Sequence, residues 1–120
     1  MGFLKALSET EEEIHAEQTR EWCREIEGIE EVTACMARTR RKVAGVVESI
    51  KLIPSKFSNT LEVTIFDGTD RIIGVFLGRK SIPGIDLGTH LMMEGTIGKY
   101  GSGPLRIINP AYELLDHSHD

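Results

Sequence analysis

Hydrophobic and polar residues change their spacing near residue 29, and this change divides the chain into two parts. Before it, apolar residues fall at helical intervals among many glutamates, which predicts one helix over about residues 8–27. Ser8 and Glu11 have the spacing of a capping box, which satisfies free amides at a helix start. Gly28 is a typical helix stop. The first part is therefore predicted to be a single acidic helix.

The apolar face of this helix is narrow. Ile14, Trp22 and Ile26 fall near one side, and Gln18 interrupts them. Such a stripe is expected to pack Trp22 and Ile26 against the rest of the chain or against a second subunit. A protein partner or a homo-oligomer that uses the Trp22/Ile26 face therefore stays open, whereas the glutamates are interpreted as a solvated face.

After residue 29, β-branched residues, alternation and glycine-marked turns predict strands. Gly45 allows the first strand to bend sharply, as a small barrel requires. Pro110 is expected to end the last strand and leave a short tail. Five short strands at this spacing predict a closed or nearly closed β-barrel, with a four-strand sandwich fragment as the alternative. The predicted segments are a lead-in strand or extended segment at 30–37 and strands at 41–53, 60–67, 71–78, 89–98 and 104–110.

The stretch TIFDGTD joins two of these strands. Asp67-Gly68 between alternating apolar runs predicts a hairpin turn, so Asp67 and Asp70 are interpreted as turn residues rather than as a metal or acid/base pair. A four-residue connection would pair Phe66 with Arg71, whereas a three-residue connection would reverse the third strand. The four-residue register places one set of side chains inside: Leu61, Val63, Ile65, Ile72, Gly74 and Phe76. It places the other set outside: Glu62, Thr64, Phe66, Arg71, Ile73 and Val75.

Composition suits one soluble domain, with 40% hydrophobic and 28% charged residues in a chain of 120. No apolar run approaches the roughly 18 residues of a membrane span, and the first residues do not form a secretory signal, so a cytoplasmic protein without membrane contact is expected. Cys23 and Cys35 lack metal-binding spacing and are expected to be reduced thiols.

Charge is distributed unevenly. The net charge of −5 alone argues against a nucleic-acid partner. However, residues 1–35 carry −7 and residues 36–110 carry +5. The basic run at 38–42 is either a phosphate-contacting edge or a solvated strand start paired with nearby glutamates. The body of the chain is therefore mildly basic behind an acidic front.

Several short motifs occur together in a recognisable order. They are Val43-Ala44-Gly45-Val46-Val47, Asp67-Gly68-Thr69, Phe76 on the third strand, the pair Gly88 and Gly95, and Asn109-Pro110. Over about residues 40–115 this order resembles an OB-fold nucleic-acid-binding domain of the tRNA-anticodon-binding type, including the wedge of RecG-type helicases. Small stand-alone actinobacterial OB-fold proteins, which share the acidic N-terminal segment, are also similar.

The resemblance implies a mainly β protein, a five-stranded OB-fold Greek-key barrel with an N-terminal acidic α-helix. The corresponding parts are an acidic helix at 1–28, the barrel at 29–115 and a disordered tail at 116–120. The motifs are more specific for this fold than for a function.

The resemblance also implies a binding face on the outside of strands 2 and 3, flanked by the 1–2 and 4–5 loops. Bases are expected to stack on Phe57, Tyr100 and Phe66, although Phe66 could equally cover a barrel end or pack against the helix. Phosphates are expected to contact four cations: Lys56, Arg71, Lys99 and Arg106.

No enzyme, cofactor or metal site is expected. The stretch GTIGKYGSG lacks the P-loop spacing, because Tyr100 follows Gly98-Lys99 where a serine or threonine would follow the lysine. No serine lies in a nucleophile motif. Two functions remain: binding of single-stranded DNA or RNA with weak sequence preference, or a protein-interaction or self-association module without nucleic-acid binding.

Overall fold

Within the residues that the structure describes, one α-helix precedes six strands. The computed structural model describes the chain from residue 2 to residue 115, with side chains described from residue 11 onward. Within this part, no helix is long and apolar enough to cross a membrane. The elements are α1 Gly2–Arg24, β1 Arg40–Ile53, β2 Thr60–Phe66, β3 Arg71–Leu77, β4 His90–Lys99, β5 Leu105–Ile108 and β6 Ala111–Leu115.

The helix is longer than predicted at its start. It begins at Gly2, so Ser8 lies inside it and the predicted capping box is wrong. The residues before Ser8 include leucine, lysine and alanine, which are strong helix formers, so nothing stops the helix there. It ends at Arg24, three residues short of the predicted end, and Gly28 follows with φ at +82°.

The five predicted strands are present, but two other segments differ from the prediction. Residues 30–37, predicted as a lead-in strand or an extended segment, hold a short 3-10 turn at Val32–Ala34 between the extended residues Glu31 and Cys35. The segment after Pro110 is β6 rather than a tail, so the sheet has six strands rather than five. Pro110 ends β5, yet the chain then pairs along β4, with Tyr112 opposite Met93. The predicted disordered tail at 116–120 lies outside the described residues.

The strands form a barrel-like sheet in the order β1-β2-β3-β5-β4-β6, with a further pairing of β1 and β4. All pairings are antiparallel except β3 with β5. β1 changes partner at Val46, which pairs with both Phe66 on β2 and His90 on β4. At Gly45, just before this point, a Cβ would lie 2.5 Å from the Phe66 carbonyl oxygen. Glycine therefore lets β1 come this close as it bends between two partners.

The hairpin register is as predicted, with Phe66 opposite Arg71 across a four-residue connection. The side chains predicted to point inward are all buried. Except for Gly74, they pack with residues of the other strands, of the 3-10 turn and of the connector between β3 and β4 into one apolar core: Val32, Val43, Val47, Leu61, Val63, Ile65, Ile72, Phe76, Ile82, Ile85, Leu91, Met93, Ile97 and Ile107.

The helix docks on the barrel at the turn between β2 and β3. A Cβ at Gly68 would lie 2.4 Å from the Ala16 carbonyl oxygen, so α1 rests directly on this glycine. The Trp22 ring meets the His90 ring edge-on, with centroids 4.4 Å apart. Trp22 thus contacts the chain's own barrel, which is one of the two placements that the sequence left open.

Candidate nucleic-acid interface

Asp67 is buried, with 2% of its surface exposed. Its Oδ1 accepts the Thr69 N–H at 2.8 Å, the Thr69 hydroxyl at 2.6 Å and the Asp70 N–H at 3.0 Å. Its Oδ2 accepts the Val32 N–H at 2.8 Å. All of these donors belong to the turn or to the segment that follows α1. Asp67 therefore stabilises the turn, as the Asp-Gly pattern predicts, and also links it to the segment that follows α1.

No metal centre accompanies this carboxylate in residues 11–115, because no group of three or more His, Cys, Asp and Glu side chains is placed to hold an ion there.

Phe66 and Arg71 lie together on the outer face, at the end of the hairpin nearest the turn. The Arg71 guanidinium carbon is 4.3 Å from the centre of the Phe66 ring. Arg71 also donates from Nε to Glu48 Oε1 at 2.7 Å and from Nη2 to Glu48 Oε2 at 3.3 Å. The hydrogen bond to Glu48 raises the pKa of Arg71. The Arg71 guanidinium is therefore charged, but it already contacts one carboxylate, that of Glu48, and one aromatic ring, that of Phe66.

A cleft of about 900 Å³ separates this corner from the helix. Phe66, Arg71 and Glu48 line one wall, and α1 lines the other with residues 11–13, His15 and Ala16. Three of the five helix residues are glutamates. The cleft is therefore acidic on the helix side.

Arg106 lies farther along the same face, on β5, where it pairs with Ile73 of β3. Its Nη1 donates to Glu62 Oε2 at 3.0 Å, and both side chains are largely covered. A phosphate that contacted Arg106 would have to compete with Glu62.

The other four predicted residues lie in or next to the two flanking loops: Lys56, Phe57 and Tyr100 within them, and Lys99 at the end of β4. Phe57, between β1 and β2, has 92% of its surface exposed, and Lys56 Nζ lies 5.9 Å from its ring centre. Tyr100, between β4 and β5, is 59% exposed and follows the exposed Lys99. Among the described residues, no carboxylate comes within ion-pair distance of either lysine. Each loop thus presents an exposed aromatic ring next to an unpaired cation.

The loops stand at different ends of the strands. Thr60, which follows the first loop, pairs with Leu77 at the end of β3. Leu105, which follows the second loop, pairs with Ile72 at the start of β3. The Lys99-Tyr100 loop is therefore near the hairpin turn, and the Lys56-Phe57 loop is at the far end of the face.

The sequence interpretation assigned no role to two apolar residues on this face. Leu77 is 51% exposed, and Ile108 is 49% exposed opposite Val75. Val75, predicted to point outward, is only 8% exposed between its neighbours. Alternation along β3 leads from Val75 to Leu77 and could have identified Leu77. The register of β5 against β3 is not local, so Ile108 had no such signal.

The chain matches no protein-family model and no curated protein.

Proposed function

We propose that this chain is an OB-fold protein that binds single-stranded DNA or RNA with weak sequence preference. The observation that carries the proposal is the pair of loops that flank the outer face of β2 and β3. Each offers one exposed aromatic ring for base stacking, Phe57 or Tyr100, beside one unpaired lysine for phosphate. Stacking on an aromatic ring tolerates any base, which accounts for the weak sequence preference.

The strand pairings support an OB-fold barrel. They run from β1 through β2, β3, β5 and β4 and return to β1, which is a ring of five strands. β6 adds to the outside of β4 as a sixth strand. A five-stranded Greek-key barrel that binds along strands 2 and 3 and the adjoining loops is the arrangement that defines OB-fold recognition.

The charges on the face favour a modest affinity. Arg71 and Arg106 are each paired with a glutamate, so they offer phosphate less attraction than their number suggests. Lys56 and Lys99 remain unpaired among the described residues. With about two phosphates fully neutralised, binding falls with salt, but with a shallow slope.

Fluorescence anisotropy with labelled single-stranded oligonucleotides, at low and moderate salt, tests this function. Phe57→Ala and Tyr100→Ala are each expected to weaken binding by about 1–3 kcal/mol, the usual contribution of one base stack. Leu87→Ala is a matched control, because Leu87 is an exposed apolar residue in the connector between β3 and β4. Its affinity should equal that of the wild type.

Failure to bind at low salt would remove the proposal. Binding that ignores salt would contradict its phosphate contacts.

The alternative, a protein-interaction module, has one observation in its favour. Leu77 and Ile108 are half-exposed apolar residues on the same outer face, and the chain as a whole carries a charge of −5. Exposed apolar surface of this kind is typical of protein contacts. Trp22 is already in contact with His90, so the Trp22/Ile26 face offers such a partner less than the sequence suggested. Leu77→Asp is expected to abolish the binding of a protein partner to the outer face. Loss of oligonucleotide binding is expected instead from the loop variants Phe57→Ala and Tyr100→Ala.

A further inference from the structure

The cleft beside Phe66 presents opposite charges to a nucleic acid. One wall holds the Phe66 ring and the Arg71 guanidinium, which suit a base and a phosphate. The facing wall presents the glutamates of residues 11–13, and Glu48, which also lines the cleft, already accepts two hydrogen bonds from Arg71. A phosphate that entered here would meet more carboxylates than cations.

Short contacts hold α1 in this position. Ala16 and Arg20 rest on Gly68, where a Cβ would lie 2.4 Å from the Ala16 carbonyl oxygen and 2.6 Å from the Arg20 Cβ. Arg20 Nε donates to Glu31 Oε2 at 2.8 Å. The Cys23 thiol donates to the Ala44 carbonyl at 3.2 Å. The glutamates lie about one turn before Ala16 and about three turns before Cys23, and they line the cleft as part of a docked helix.

We propose that the acidic segment at residues 11–13 is an autoinhibitory element. It repels phosphate from the Phe66/Arg71 corner of the outer face, so a bound single strand rests on the two flanking loops and stays out of that corner. The inference rests on the proposed function, because it concerns the regulation of the same face.

The range of the electrostatic effect fits the size of the cleft. Exposed charges interact over about 8 Å at physiological ionic strength and over longer distances at low salt. Carboxylates that line the same cleft as Arg71 are within reach of a phosphate bound there. Lys56 lies at the opposite end of the strands, where this repulsion is weaker.

Two triple variants of the full chain separate local repulsion from net charge. The cleft variant carries Glu→Gln at positions 11, 12 and 13. The control variant carries Glu→Gln at positions 21, 25 and 27, which are exposed and do not line the cleft. Each removes three negative charges and changes the net charge from −5 to −2. Glutamine and glutamate have similar helix propensities, so α1 keeps its structure in the cleft variant and with the change at position 21 of the control variant, whose other two changes follow the helix.

Anisotropy with a labelled oligothymidylate is the measurement. At low salt the cleft variant is expected to bind about threefold to tenfold more tightly than the wild type and the control variant, and the difference should shrink as salt rises. Adding Phe66→Ala should weaken binding in the cleft variant and leave the wild-type affinity nearly unchanged, because only the cleft variant admits nucleic acid to that corner.

Equal affinities of the two triple variants would overturn autoinhibition and leave the proposed function standing. If neither the wild type nor either variant binds at low salt, the proposed function falls, and the autoinhibition falls with it.

Discussion

At each end of the outer face a cation lies next to an aromatic ring, but the surroundings of the two pairs differ. At the hairpin end, Arg71 lies 4.3 Å from the Phe66 ring centre, with Glu48 bonded to the guanidinium and an acidic helix across the cleft. At the far end, Lys56 lies 5.9 Å from the almost fully exposed Phe57 ring, with no carboxylate in ion-pair distance among the described residues. A cation next to an aromatic ring therefore indicates a binding site only where the neighbouring residues leave both the cation and the ring accessible.

The turns at the two ends differ in the same way. Asp67 holds the hairpin turn from a buried position through four hydrogen bonds. Ser55 holds the β1–β2 loop through its hydroxyl, which accepts the Ser58 N–H at 3.1 Å and donates to the Ser58 carbonyl, in full exposure to solvent. The hairpin end should therefore resist change, and the far end should tolerate it.

The largest expected effect is on stability, which should depend more on the hairpin turn than on the β1–β2 loop. Asp67→Ala leaves the buried Val32 N–H and the partly buried donors of the turn without their acceptor, and should lower the free energy of unfolding by about 2–4 kcal/mol. Ser55→Ala should lower it by less than about 1 kcal/mol, because water replaces the lost bond. Urea denaturation measures both.

Asp67→Asn is the control for shape. It keeps one acceptor oxygen and should fall between the wild type and Asp67→Ala. Equal losses for Asp67→Ala and Ser55→Ala would show that the two turns are held alike.

A smaller effect concerns the thiol between α1 and β1. Burial raises the pKa of Cys23 from 9.0 to about 12. The unfolded chain therefore releases this proton first, so the stability is complete below pH 9 and is lost as the pH rises toward 12. The loss at pH 10 should be about 1 kcal/mol.

Thermal or urea unfolding of the wild type and of Cys23→Ala, each at pH 7 and pH 10, isolates this thiol from the other groups that titrate in the same range. The wild type should lose more stability than the variant between the two pH values. Parallel losses would mean that Cys23 titrates alike in the folded and unfolded chain.

The smallest expected effect concerns the phosphate contacts at the two ends of the outer face. Lys56→Gln should lower the slope of log affinity against log salt by almost one ion, because this lysine is unpaired. Arg71→Gln should change the slope much less, because Glu48 already neutralises the guanidinium. Salt titrations of oligonucleotide binding compare the two, and a larger change for Arg71 would reverse the assignment of the open and closed ends.

The parts of the fold that follow local patterns could be predicted. Alternation and the Asp-Gly turn predict the hairpin and its register, because both signals lie within a few residues of one another. β6 could not be predicted, because its side chains are mostly exposed and its partner is β4, far away in sequence. The turn at Val32–Ala34 likewise accompanies a bond to Asp67, which is 35 residues away.

The candidate site shows the same limit. Exposure of Phe57 and Tyr100 follows from polar loops, and the sequence predicted both as stacking residues. The pairing of Arg106 with Glu62 spans 44 residues, and that of Arg71 with Glu48 spans 23. Glu48 reaches Arg71 where β1 has a register shift between Val47 and Ser49. Such pairs depend on how the strands assemble into the sheet, so no local pattern could separate unpaired cations from paired ones.

Because Asp67 fixes the backbone at Val32, any release of α1 must pivot in the seven residues 25–31 that follow the helix. A fully extended tether of that length spans at most about 25 Å. A segment on so short a flexible tether keeps a millimolar effective concentration at its docking surface. An undocked helix would therefore return readily to its docking surface, and the glutamates of residues 11–13 would stay close to the Phe66 corner.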